Sequence, residues 1–526
     1  MRILFSLTFL SLITAMPCDA ENTTVIHIDG GNISVATPDK DGIRAYKGLP
    51  YAAPPVGELR WREPAPVPEW KSVRAVNQFA PNCLQPKLYT DVDPFTPSMS
   101  EDCLYLNVWT KAQLHDQPHE SLPVFVWIHG GGFKAGSGSE PRHDGTALAK
   151  KGVVVVTINY RLGPFGFLAH PQLTAESSHH ASGNYAVMDM IAALRWVQKN
   201  IAKFGGNPNC VTIAGESAGS HAVNLLMASP HAKGLFHRAI GESGSGFPVS
   251  TEDDLLSNAE ANGEKFIKTI GDKSIAQLRK RSSAELLALW MSPDAGWSSG
   301  PVIDGWILPS SVENIFKAGK QNDVPLLLGW NADEGNLTAN RFGARSLQEL
   351  LHAHFGDRAA VAAKYYPASN AAEEQRSRFL YAKDVHVAQA MWKWAVTQTI
   401  TAHAPVYIYQ FNHVPPVPDD WFGGNVTPQQ AGAFHSGEIV YVFGHADAIP
   451  TWHVTADDYK LADEMSSYWA RFAATGNPNV EGGTLWPSYN LNDPQRMIFD
   501  TPSHVEKDDE AERRKFFDSA PVPPGL

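Results

Sequence analysis

Apolar residues fall into short continuous runs separated by helical patterns, as expected where strands buried on both faces alternate with amphipathic helices. Leu122 to Ile128 and Val153 to Asn159 are such runs, and so is the stretch that opens at Cys210 and breaks at Gly215. Further strands are expected near Arg238 to Gly241, at Pro325 to Gly329 and at Pro405 to Phe411. Between Tyr185 and Phe204 the apolar positions Val187, Met190, Ile191, Leu194, Val197 and Ile201 recur at steps of three and four, which predicts a helix. Strand and helix in alternation predict an α/β fold around a mostly parallel sheet. Near the start, two alternating runs between Thr24 and Thr37 flank Asp29-Gly30-Gly31-Asn32, which predicts a hairpin. Residues 48 to 70 are too rich in proline for regular structure and too aromatic for disorder, so they read as an ordered surface coil. Segments 251 to 295 and 341 to 403 read as helical insertions that roof a site at the sheet's edge.

With 43% of 526 residues hydrophobic, the chain can bury a large core. No Gly/Ser-rich or charge-rich linker interrupts it, so residues 21 to 526 are expected to form one domain. The net charge of −12 is modest for this length and the basic residues are scattered, so nothing marks a nucleic-acid-binding face. Residues 1 to 20 stand apart: Arg2, an apolar run from Ile3 to Met16 and the ending Cys18-Asp19-Ala20 read as a cleaved secretory signal. That run is shorter than the ~20 apolar residues needed to span a bilayer. The mature chain is therefore expected to be secreted or periplasmic, with no integral membrane segment. An oxidising compartment permits a disulfide. Of the three cysteines that remain, Cys210 opens a buried strand, so Cys83 and Cys103 are expected to pair and Cys210 to stay free and buried.

The candidate chemistry centres on Gly215-Glu216-Ser217-Ala218-Gly219, where the Cys210 run ends and a helical pattern starts at once. A reversal this tight strains its central residue and needs neighbours without side chains, which Gly215 and Gly219 supply. It would lift the Ser217 hydroxyl above the sheet, with the first free N–H groups of the helix beside it. The pattern G-x-S-x-G alone is weak, since it should occur by chance in roughly one such chain in four. Gly296 to Gly300 also fits but follows no strand, and Ser243, after an apolar stretch, is followed by Gly246-Phe247-Pro248, which cannot open a helix. Upstream, Leu122 to Ile128 runs into His129-Gly130-Gly131-Gly132-Phe133, where consecutive glycines let backbone N–H groups approach a ligand. A serine hydroxyl needs a base and an acid to orient it, in the chain order Ser, acid, His for this fold. The pair Asp333-Glu334 follows a predicted strand end, and His435 lies in a loop before the apolar segment 439 to 444. His221 would sit inside the helix, under the hydroxyl, and His129 is expected to line the wall. The glycines at 130 to 132 lack G-x-G-x-x-G spacing and no histidine pair has metal-ligand spacing on a helix, so neither cofactor nor metal is expected.

Five ordered motifs carry a resemblance across nearly the whole mature chain: GLPYAAPPVGELRW at 48 to 61, EDCLYLNVW at 101 to 109, HGGGF at 129 to 133, GESAG at 215 to 219 and AFHSGEIVYVFG at 433 to 444. Together they resemble the type-B carboxylesterase family, the α/β-hydrolase branch shared with cholinesterases and bile-salt lipases. The resemblance implies hydrolysis of carboxylic esters through a serine acyl-enzyme, with a small-molecule ester as partner. It implies a triad of Ser217, Glu334 and His435, with the acid being Glu334 rather than Asp333. It further implies an oxyanion hole from the N–H groups of Gly131, Gly132 and Ala218, Glu216 and Ser243 close behind, and an Arg60–Glu101 pair beside the disulfide. Ala186 and His221 depart from the family's pattern and bear on pocket shape. Two rival readings accompany it: an interfacial lipase with a mobile lid, and the adhesion proteins that keep this fold but lose the serine. The Cys83–Cys103 loop holds no Trp where cholinesterases keep the one that binds a quaternary ammonium, and its aromatics are Tyr89 and Phe95. The expected substrate is therefore a neutral ester rather than a choline ester.

Overall fold

A computed structural model describes residues 25–88, 98–112, 121–247, 255–292, 300–424 and 426–520. Ten strands form one sheet. In spatial order they are His504–Lys507, Gln495–Phe499, Val406–Phe411, Leu326–Asn331, Arg238–Glu242, Gly206–Glu216, Leu122–Ile128, Val154–Ile158, Tyr105–Thr110 and Arg44–Pro50. Neighbours from Gln495–Phe499 across to Val154–Ile158 run parallel, and the remaining pairs at the two edges are antiparallel. The strands expected from the apolar runs are all present. The sequence pattern missed both edges, Arg44–Pro50 on one side and Gln495–Phe499 with His504–Lys507 on the other. Edge strands carry polar residues that blur the apolar signal, and Arg496 is buried there among Asp508 and Glu510, the latter receiving its Nη1 at 2.9 Å.

Alternation along the strands separates two cores. Val124, Val126 and Ile128 join Val211, Ile213 and Leu328 on one face. Phe125 and Trp127 join Ala214, Ile240, Leu327 and Tyr409 on the other. The predicted helix packs on the first face as Tyr185–Asn200, continued by a 3₁₀ turn at Ile201–Phe204. The predicted hairpin forms as Val25–Ile28 against Gly31–Ser34. Because the central strands are parallel and in register, Ile128, Glu216, Glu242 and Asn331 all end at one edge of the sheet. Whatever follows each of them in sequence must gather there.

A third cluster lies outside both faces. Phe342, Leu350, Phe355, Tyr366 and Tyr381, all from the second insertion, enclose Phe517 of the helix Ala511–Asp518. The joint is polar as well as apolar. Asp384, 1% exposed, receives Arg513 Nε at 2.9 Å and the Tyr366 hydroxyl at 2.7 Å, and Gln389 Nε2 donates to the Arg514 carbonyl at 3.1 Å. Asp384 opens a π-helical turn, Asp384–Ala388, between the helices Ala371–Lys383 and Gln389–Thr401. The first insertion packs elsewhere. Arg60 donates from Nη1 to the carbonyls of Leu278, Arg279 and Arg281, while its Nε and Nη2 hold Glu101 at 2.6 and 2.5 Å.

Cys83 and Cys103 are joined, with a sequence separation of 20. Cross-linking a loop of that size contributes about 3 kcal/mol by the chain-entropy account. Cys210 is free, as expected, but it is partly exposed rather than buried, because it belongs to the incompletely buried first half of its strand, where Arg238 Nη1 approaches its sulfur at 3.1 Å. No helix among the described residues is long and apolar enough to cross a membrane.

Candidate active site

Ser217 joins Gly206–Glu216 to the helix Ala218–Ala228 with φ 55° and ψ −121°, a left-handed backbone that side chains rarely adopt. Its glycine neighbours are required by contact. A Cβ on Gly219 would lie 2.0 Å from the Ile128 carbonyl oxygen, and one on Gly215 would lie 2.5 Å from the Gly219 carbonyl carbon. The Ser217 N–H donates to the Glu242 carbonyl at 2.8 Å, which ties the reversal to the next strand. Gly131, Gly132 and Ala218 share one cavity of about 370 Å³ with Ser217. Glu216, Ser243, Glu334 and His435 line the same space, so the structure brings together the residues expected for the triad, for the oxyanion hole and close behind them.

Leu326–Asn331 ends and the short helix Glu334–Thr338 begins in a turn that separates the two candidate acids. Glu334 receives the Asn331 N–H on Oε1 at 3.1 Å and His435 Nδ1 on Oε2 at 2.7 Å. Asp333 points away and receives the Ala433 N–H at 2.9 Å, bracing the loop that carries His435. Asn331 braces it too, donating from Nδ2 to the Phe434 carbonyl at 2.7 Å and to Glu438 at 2.6 Å.

Behind the imidazole lies a cluster of carboxyls shielded from water. Burial pushes Glu216 up to about 8 and Glu438 to about 7, and drives Glu242 well above the usual carboxylate range. Glu242 receives the Trp469 N–H at 2.8 Å. Glu216 Oε1 stands 3.2 Å from His435 Nε2, and among the described residues it accepts no hydrogen bond. Burial alone would push His435 down, but the carboxylates of Glu216 and Glu334 outweigh it and hold the ring up, at about 10. Among the described residues no hydrogen bond reaches the Ser217 hydroxyl.

A model of the carboxylesterase family matches residues 22–517, nearly the whole chain. The chain belongs to the carboxylesterase family. It is 37% identical over 511 residues to the fumonisin B1 esterase of Sphingopyxis macrogoltabida, covering 92% of this chain and 88% of that protein. It is 34% identical over 503 residues to the para-nitrobenzyl esterase of Bacillus subtilis, covering 90% and 95%. Among solved structures it resembles a Geobacillus stearothermophilus carboxylesterase with a TM-score of 0.78 at 34% identity, covering 94% of this chain and 99% of that one. The chain is thus a carboxylic ester hydrolase with the α/β-hydrolase fold.

The walls of this carboxylesterase's cavity include residues that sequence reasoning missed, Arg142, Thr338, Arg341, His386 and Val387, and also His221, which it had singled out. His221 was expected to lie beneath the hydroxyl and to bear on pocket shape. It instead reaches the cavity, its ring 5.4 Å from Phe133. His129 is the opposite case, since it is not among the lining residues. It is 1% exposed and stacks on Tyr160 at 4.3 Å. The signal for two of the missed residues was present. Thr338 and Arg341 follow Glu334 by four and seven positions, the spacing of one helical face. Among the described residues the roof comes from the second insertion, through Arg341, His386 and Val387, and no residue of 255–292 lines the cavity. Tyr89, Phe95 and the false motif at 296 to 299 lie outside the described residues.

Proposed function

We propose that this carboxylesterase works through an acyl-enzyme on Ser217, with His435 as the base, Glu334 as the acid that orients it, and the N–H groups of Gly131, Gly132 and Ala218 receiving the oxyanion. The observation that carries this reading is the His435–Glu334 hydrogen bond of 2.7 Å at the wall of the cavity that Ser217 enters from its strained turn. Glu334 fixes Nδ1 as the donor, which leaves Nε2 to take the serine proton as the hydroxyl attacks the ester carbon. The alcohol leaves with that proton, and water, activated by the same ring, releases the acid. The Ser217–His435 hydrogen bond forms with the ester in place. Relatives named for fumonisin B1 and para-nitrobenzyl esters differ widely in substrate, so the choice of ester falls to the walls rather than to the triad. The adhesion alternative does not fit a chain that keeps all three triad residues. Residues 1 to 20 act in this reading as a leader, and 21 to 526 as one secreted or periplasmic unit whose disulfide suits an oxidising compartment. Mixing with 4-nitrophenyl acetate, acid quench and peptide mapping test the reading. One acetyl group is expected on the peptide containing Ser217, and the same group on Ser243 would refute it.

The electrostatics of the cluster set the pH dependence. His435 must be neutral to accept a proton, and its carboxylate neighbours favour the charged ring, so activity is present above its pKa and lost as pH falls through it. Glu216 and Glu438 take up protons near 8 and 7, and each uptake weakens the hold on the ring. The acid limb of kcat/KM is therefore expected between the ordinary imidazole value near 6.5 and about 10, above the 6 to 7 that an unperturbed histidine would give. Glu216→Gln should move that limb to lower pH, and a limb that stays in place or rises would show that Glu216 does not act on the ring.

A further inference from the structure

The cavity of this hydrolase is unevenly charged. Among its described lining residues the acidic side chains are Glu216 and Glu334. Burial keeps Glu216 protonated up to about 8, and Glu334 is committed to His435. Two arginines line the same space. Arg142 is buried and donates from Nε to Glu140 at 2.9 Å, so its charge is matched within the protein. Arg341 is exposed, and among the described residues it makes no hydrogen bond or ion pair. The site thus carries one positive charge that the protein does not answer.

His386 stands beside it. The ring of His386 stacks on Phe342, the residue next to Arg341, with centroids 5.5 Å apart and an interplanar angle of 19°. Its Nε2 is shut from solvent, and among the described residues it has no hydrogen-bond partner. A buried polar atom without a partner costs free energy unless something else meets it. Burial, helped by Arg341, lowers this ring to about 4, so it is neutral at working pH and adds no second charge. Both residues sit on regular backbone. Arg341 sits in the 3₁₀ turn Ala339–Phe342, which continues the helix that starts at Glu334. His386 is turned into the cavity by the π-helical turn, where an extra residue per turn re-aims side chains. That turn is anchored at Asp384 by Arg513 and Tyr366.

We propose that Arg341, with His386 at its side, receives a second, ionised carboxyl group of the substrate, so that the esters this enzyme takes best carry a free carboxylate away from the bond that is cleaved. The proposal rests on the Ser217 reading for where that bond lies. It departs from the expectation of a neutral ester. The missing Trp says only what the pocket does not favour, while an unanswered guanidinium also repels a quaternary ammonium and attracts an acid. Planar guanidinium and carboxylate match in geometry, and the contact strengthens as water is displaced from the cavity.

Two matched substrate pairs test this and locate the carboxylate. Mono-4-nitrophenyl adipate against 4-nitrophenyl hexanoate places it on the acyl side. The butyrate ester of 4-hydroxybenzoate, against the butyrate ester of methyl 4-hydroxybenzoate, places it on the leaving group. In at least one pair kcat/KM for the anionic member is expected to exceed the neutral one by about tenfold or more, the scale of one charge-assisted contact. The ratio should shrink with added salt and fall to about one in Arg341→Gln, while Arg376→Gln, which does not line this cavity, should keep it. A neutral member that is equal or faster in both pairs overturns the proposal. So does an anionic preference that survives Arg341→Gln. Failure of the underlying reading looks different. If Ser217→Ala still cleaved both members, the serine assignment would fall, and the dependence of the ratio on Arg341 would stand on its own.

Discussion

Ser217→Ala is expected to lower kcat by about 10⁶ with little change in fold. The size follows from what the residue supplies, since without Oγ there is no covalent intermediate and water must attack the ester directly. The glycine N–H groups and binding still give some advantage over free solution, on the order of 10³ to 10⁴. Alanine meets the same backbone strain at φ 55° as serine does, and the hydroxyl it removes makes no hydrogen bond among the described residues, so the substitution breaks no structural contact. Circular dichroism and thermal unfolding should therefore match the parent. A variant that kept a tenth of the parent kcat would sink the assignment. Attention would pass to Ser243, which also has a left-handed backbone, at φ 54°, and lines the same cavity. The Ser243 hydroxyl lies 3.4 Å from Glu438 and not beside the imidazole, which is why it ranks second.

The next largest effect separates two neighbouring acids. Glu334→Gln is expected to cost about 10³ to 10⁴ in kcat, because an amide can present its NH₂ to Nδ1 and select the wrong tautomer, leaving Nε2 protonated and unable to act as a base. Asp333→Asn should cost far less. Its carboxylate braces the loop through the Ala433 N–H, and an asparagine carbonyl can still accept that bond. Side-by-side kcat values for the two variants decide it, and a larger loss in Asp333→Asn would assign the wrong neighbour to the imidazole. The ranking also distinguishes chemistry from collapse, since a folding defect should affect both variants through the same loop.

The parts of this molecule that were legible in the sequence share a cause. Ser217, the glycines at 130 to 132 and the central strands are dictated by local rules: a reversal that tolerates no side chains, or a strand buried on both faces. His435 could be chosen among many histidines because its motif is long. The carboxyl cluster was partly visible, as Glu216 and Glu334, but Glu242 and Glu438 become members only through the register that brings the strand ends together. The edge strands and the cavity wall were harder. His386 owes its position to a π turn that no periodicity announces, and His129 reads as a wall residue until its stacking on Tyr160 is seen. Long-range packing decides these places, and a linear pattern does not record it.

The pairing of the second insertion with the last helix carries a consequence for anyone who would transplant specificity between relatives. Residues 341 to 403 look like a cassette that could be swapped at its ends. Yet their interior is completed by Phe517, and the turn that presents His386 is fastened by Arg513, more than a hundred positions downstream. Moved without that tail, the graft would arrive with an open seam and a buried aspartate that has lost its cation. The heritable unit of substrate choice is therefore split in two along the gene, and a recombination that is to preserve it must take both pieces or neither.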